Sequence, residues 1–144
     1  MCTLHTCLLP PHRPRREPRE EGRLSSSASC YANAMGQDVE LECLCGAVHG
    51  VVRDVSAKTA NRCVCLCADC QTFLHHLGRA ELLDAHGGSE IIQVAPNTIS
   101  FDRGTDKIAA IRLGPKGPYR WYATCCKTPL GNTVKPSLPR GSGV

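Results

Sequence analysis

From Val39 onward, hydrophobic and polar residues alternate with a period of two. Val39, Leu41, Cys43 and Cys45 fall on one side of an extended chain, and Glu40 and Glu42 on the other. Gly46 permits a turn, and residues 48–52 read as a returning strand. Residues 61–65 read as a short strand or a metal-knuckle turn. Phe73, Leu74 and Leu77 stand at helical spacing and predict a helix over residues 71–77. Gly78 interrupts it, and a continuation over 80–86 stops at Gly87-Gly88. Extended segments follow at 91–94, 98–102 and 107–113, the last two expected to form a hairpin through residues 103–106. Pro115, Gly117 and Pro118 mark a loop before a final strong strand at 119–124, in which Trp121 and Tyr122 are expected to pack the sheet. Beyond Gly131 the chain is rich in proline and glycine, and no further element is predicted. The pattern is mainly β with one short helical segment.

Residues 1–34 follow a different rule. Prolines and charges crowd residues 10–21, and Ser25, Ser26, Ser27 and Ser29 follow. Such a stretch buries too little apolar surface to offset its ordering entropy. We therefore expect it to be disordered, or to be an extension upstream of a true start at Met35. Cys2, Cys7 and Cys30 then stand outside the chemistry. Glu17, Glu20 and Glu21 argue against a transit peptide, and the short apolar stretch before Pro10, with arginines after it, argues against a secretory signal. The domain is placed at residues 35–144, and its end at Val144 is read as a candidate truncation.

Composition narrows the partners. A chain of 144 residues that is 42% hydrophobic and 21% charged is globular in character. No apolar run approaches the roughly 18 residues that span a bilayer, so no membrane partner is expected. The net charge of +4 is spread along the chain, without the concentrated basic footprint of a nucleic-acid binder. The chain has 11 cysteines but only one Trp, three Tyr and two Phe, so the core needs help from staples or metal. An odd cysteine count without an export signal points away from disulfides, toward metal or thiol chemistry in the reducing cytoplasm.

Three cysteine clusters carry that chemistry. In Cys43-Leu44-Cys45-Gly46, spacing i, i+2 puts both sulfurs on one face, and the glycine lets the backbone turn so that both reach one ion. In Cys63-Val64-Cys65-Leu66-Cys67-Ala68-Asp69-Cys70, the pair Cys67 and Cys70 has knuckle spacing and Cys65 adds a third sulfur from the strand leading in. Three ligands leave a fourth position open, as in a catalytic zinc site; Cys63 in that position would close it. A thioredoxin-like redox pair at Cys67 and Cys70 is the competing reading, and it lacks the βαβ context that such a motif needs. Cys125-Cys126 form the third cluster. On a regular strand they would face opposite ways, so joint ligation requires a turn, which Lys127-Thr128-Pro129 supports. With Cys43 and Cys45 they would complete a four-sulfur site.

Cys43-Leu44-Cys45-Gly46-Ala47-Val48, then Cys65-x-Cys67-x-x-Cys70, then an aromatic strand entering Cys126-Lys127-Thr128-Pro129-Leu130, resemble the glutathione-dependent formaldehyde-activating enzyme (GFA) family, which includes centromere protein V. The resemblance covers roughly residues 39–133. It implies a β-tent of small antiparallel sheets around two zincs. One would be structural, held by Cys43, Cys45 and Cys126. The other, held by Cys65, Cys67 and Cys70, would handle a glutathione–formaldehyde adduct. The chain departs from the family pattern where it has Ala123 in place of a cysteine, so Cys125 must substitute, and Lys127 in place of a glycine. It also has Gln71-Thr72-Phe73-Leu74-His75-His76 where basic and small residues are usual, which marks a divergent branch.

Two functions follow as expectations. One is a carbon–sulfur lyase-like enzyme acting on an adduct of glutathione or another small thiol with an aldehyde. The other is a zinc-stabilised binding or scaffold module without turnover, in which Cys63 or His75 closes the second site. Either His75 or His76 could reach the open position or act as a base, or both could lie on a solvated helical face. Asp69 is expected to cap the helix. His49 and His86 read as surface or turn residues, and Arg79 and Arg112 as candidates for a glutathione carboxylate.

Overall fold

A computed structural model of the chain describes residues 6–8, 36–134 and 136. The expectation of disorder over residues 1–34 lies outside the described residues, except at Thr6–Leu8, which form strand β1. The chain is mainly β, with small antiparallel sheets and one short helix. Eight further strands follow: β2 Gln37–Glu42, β3 His49–Val55, β4 Asn61–Cys65, β5 Ser89–Val94, β6 Ile99–Arg103, β7 Ile108–Ile111, β8 Tyr119–Ala123 and β9 Pro129–Thr133. Helix α1 spans Ala68–His76.

The strands make three antiparallel sheets of three, in the orders β1-β5-β4, β2-β3-β6 and β7-β8-β9. Their shared core gathers Val48, Val52, Val94, Ile99, Phe101, Ala123, Leu130 and Cys43, with Trp121 packed against it. Gly50 lets β3 lie close on β6, because a Cβ there would stand 2.4 Å from Ser100 O. Helix α1 buries Phe73 and Leu74, and Leu77 beyond its end is buried too. Each such side chain contributes about 1.5–3 kcal/mol of hydrophobic stabilisation.

Several expectations are corrected. Cys43 and Cys45 do not continue the first strand: β2 ends at Glu42, and residues 43–46 turn back, with Gly46 at φ 71° and its N–H donating to Cys43 O at 2.8 Å. Strands β6 and β7 form no hairpin. Gly104 adopts a left-handed conformation (φ 73°) and a 3-10 turn follows at Thr105–Lys107, so the chain passes from the sheet of β3 to the sheet of β8. The predicted continuation over 80–86 shrinks to the 3-10 turn Ala80–Leu82. Strand β9 was not anticipated, because Pro129 and Gly131 read as breakers. Proline is accommodated there as the first residue of an edge strand, where no ladder N–H is required.

Candidate metal centres

The turn after β2 and the turn after β8 converge. Cys43 and Cys45 come from the first, and Cys125 and Cys126 from the second, which occupies residues 124–126 where β8 stops. The Sγ separations are 3.6 Å for Cys43–Cys45, 3.8 Å for Cys43–Cys125, 3.3 Å for Cys45–Cys125 and 3.8 Å for Cys125–Cys126. All four sulfurs lie within 4.8 Å of one another. A tetrahedral ion with metal–sulfur bonds of about 2.3 Å sets its sulfurs about 3.8 Å apart. The side chains therefore already stand close to the edges of such a tetrahedron. Cys125 fills the corner that Ala123 cannot, since Ala123 is fully buried in the core.

Hydrogen bonds outside the sulfurs fix this arrangement. Val48 N–H donates to Cys43 Sγ at 3.2 Å. Thr128 Oγ1 accepts from Leu44 N–H at 3.1 Å, which leaves its own proton for Cys126 Sγ, 3.0 Å away. Thr128 thus ties the two turns together. Burial pushes the Cys126 thiol up, but the Thr128 hydroxyl and the backbone N–H groups of Cys45 and Thr128 outweigh it and bring the pKa to about 6. Burial, followed by the neighbouring thiols of Cys45, Cys126 and Cys43, pushes Cys125 up to about 12. One sulfur is ready to ionise and its neighbour holds the proton, which a bound cation would displace.

The second group forms where β4 runs into α1. Cys65 ends the strand, Cys67 precedes the helix, and Cys70 sits in its first turn with its side chain buried. Their sulfurs lie within 4.8 Å of one another, with Cys65–Cys67 at 3.4 Å. The helix cap is Cys67 and not Asp69: Cys67 Sγ accepts the Cys70 N–H at 3.4 Å. A thiolate can do this because the unpaired N–H groups of a helix N-terminus favour negative charge. Burial raises the Cys67 pKa, yet the Cys70 N–H, the neighbouring thiols of Cys65 and Cys70 and the Arg120 charge leave it lowered overall. Burial pushes Cys70 up to about 11 against the pull of Arg120.

Among the described residues no fourth His, Cys, Asp or Glu joins this group. Cys63 lies two positions back on β4 and stays outside it. His75 and His76 are exposed in the last turn of α1, about 12–13 Å along the helix from Cys67, and neither joins the sulfurs. His49 is not alone: its Nδ1 lies 2.7 Å from Asp102 Oδ1. The two arginines considered for a carboxylate are engaged elsewhere, Arg79 with Glu81, and Arg112 with the carbonyls of Pro115 and Gly117 and the Tyr119 ring.

Arg120 was not singled out from the sequence, although a lone charge in the strand Tyr119-Arg120-Trp121-Tyr122-Ala123 was its signal. Only 3% exposed, it donates from Nη1 to Cys70 Sγ at 3.6 Å and sets Nη2 3.5 Å from Asp69 Oδ2, over the Phe73 ring. A buried guanidinium is costly unless negative charge meets it. Three thiolates around a divalent ion carry one net negative charge, which suits this cation. All eight cysteines in residues 36–134 are free, and soft sulfur donors suit zinc, copper(I) or iron–sulfur chemistry. No helix among the described residues is long and apolar enough to cross a membrane.

Comparison with curated proteins and with solved structures returns no match. A family model matches residues 35–140, and the chain belongs to that family, DUF6151, a family of unknown function.

Proposed function

We propose that the chain is a two-site zinc protein of the reducing cytoplasm, with one closed structural site and one open site that takes an external thiol. Cys43, Cys45, Cys125 and Cys126 hold the structural ion; Cys65, Cys67 and Cys70 hold the other. The resemblance to the GFA family extends this to a carbon–sulfur lyase-like activity on an adduct of an aldehyde with glutathione or a similar thiol. The observation that carries the reading is the contrast between a four-sulfur group and a three-sulfur group with no fourth ligand among the described residues.

When bound, zinc supplies a Lewis acid that lowers the pKa of an incoming thiol. The protein's own residues do the rest. Cys67 and Cys70 are held by the first turn of α1, and Arg120 balances the negative charge of the sulfurs. In the proposed reaction the thiol sulfur joins the aldehyde carbon, and the thiol proton ends on the former carbonyl oxygen. The reverse reaction breaks the same bond. Exchange NMR with ¹³C-formaldehyde and glutathione tests this. The protein should accelerate interconversion of free and adduct aldehyde, and Cys67→Ser should abolish the acceleration. Background rates with metal-loaded protein would overturn the lyase reading.

A further inference from the structure

Arg120 and Asn132 face each other directly across β8 and β9, being register partners in the same sheet. Both line the cleft beside Cys70, together with Phe73, Leu74, Ser89 and Ile91. Arg120 spends its terminal nitrogens on Cys70 and Asp69, and its Nε–H has no hydrogen-bond partner among the described residues. Asn132 Oδ1 is likewise buried and without a partner among them. An orphaned donor and an orphaned acceptor in one cleft are costly in a folded protein, and each calls for an explanation. Backbone pairing does not supply one, because both atoms belong to side chains.

Because the two residues are register partners lining one cleft, a single oxygen that accepts from Arg120 Nε–H and donates to Asn132 Oδ1 would satisfy both atoms. A hydroxyl does this, whereas an aldehyde carbonyl or a carboxylate has no proton for Asn132. The free volume of about 20 Å³ suits one water-sized group. Cys70 forms part of the same wall, so the group lies beside the three-sulfur site.

We propose that Arg120 and Asn132 form a hydroxyl subsite that selects thiol ligands of the open metal site carrying a hydroxyl close to sulfur. This rests on the open-site reading above and adds the specificity-determining pair. Arg120 and Asn132 act as positioning residues, orienting the ligand by its oxygen while its sulfur occupies the metal position.

The test uses the full chain loaded with cobalt(II), whose absorption spectrum reports a change of ligand. The probes are 2-mercaptoethanol and ethanethiol, which differ by one hydroxyl. Wild type should bind 2-mercaptoethanol at least about thirtyfold more tightly, the size of one net hydrogen bond to a charged group and one to a neutral group together. In Asn132→Leu, which keeps the side-chain shape and removes the acceptor, that preference should fall to about tenfold, the share of the remaining bond from Arg120 Nε–H, with ethanethiol affinity unchanged. The same variant should be at least as thermally stable as wild type, since it removes an unpaired buried acceptor. Equal affinities for the two thiols in wild type would overturn the subsite, including the case in which only water fills the cleft. Lower stability of Asn132→Leu with the preference retained would also overturn it, making Asn132 structural. A spectrum that responds to neither thiol would overturn the open-site reading itself, and the subsite with it.

Discussion

Replacing Cys43 and replacing Cys67 by Ser removes one sulfur from each group, and the two losses should differ greatly. Cys43 is 2% exposed, belongs to the main core beside Val48 and Phe101, and receives the Val48 N–H. Its group joins the turn after β2 to the turn after β8, so it fastens the sheet of β2, β3 and β6 to the sheet of β7, β8 and β9. Structural zinc contributes about 10–16 kcal/mol of apparent binding free energy in small zinc domains. A domain of this size has a total stability of about 5–15 kcal/mol. Losing the ion therefore removes an amount comparable to the whole, and Cys43→Ser should be unfolded at room temperature.

Cys67 is exposed, and its group lies within one continuous stretch of chain, the end of β4 and the start of α1. Pairing of β4 with β5 and burial of Phe73 and Leu74 hold that stretch without the ion. Cys67→Ser then forfeits one helix cap, about 1 kcal/mol, and the ion of the second site. Circular dichroism, urea unfolding and zinc content of the purified variants make the comparison. The reasoning predicts no cooperative transition for Cys43→Ser, and a transition near that of wild type with about one zinc fewer for Cys67→Ser. Equal behaviour of the two variants, whether both folded or both unfolded, would refute it.

Thr128→Val deletes the bridge between Leu44 N–H and Cys126 Sγ, and should lower metal affinity at the four-sulfur site about 10–100-fold in competition with a chelating dye. Because Cys126 ionises above about pH 6 while Cys125 holds its proton, zinc binding at the four-sulfur site should release protons and weaken as pH falls toward 6, read by chelator competition across pH. Because folding lowers the Cys126 pKa, the stability it contributes is fully present above the ordinary thiol range of about 8.5, and is lost as pH falls toward 6. Gly104→Ala places a Cβ 2.0 Å from Ala47 O at a φ of 73°, and should cost about 2–4 kcal/mol in urea unfolding.

The residues that announced themselves in the sequence were those whose structure is local. Alternation up to Glu42, the strand at 61–65 and the apolar spacing of Phe73, Leu74 and Leu77 each depend on near neighbours, and each corresponds to an element. Cysteine spacing also brought forward the seven sulfurs that the structure draws into two groups. Lys127, where the resemblance expects glycine, takes φ 58°, the conformation that glycine adopts without steric cost. What sequence could not supply was non-local. The predicted hairpin at 103–106 does not form because β6 and β7 join different sheets, and residue 104 between them lies against residue 47, far away in the chain. Cys67 was passed over as a helix cap because thiolates are not among the usual capping residues. Arg120 and Asn132 acquire their meaning only when β8 and β9 pair beside Cys70.

The most direct test of the account is zinc content per chain, by elemental analysis of protein purified under reducing conditions. One closed and one open site predict about two zincs per chain, one of them removed by Cys67→Ser. A folded wild-type domain carrying one zinc or none would contradict the paired sites.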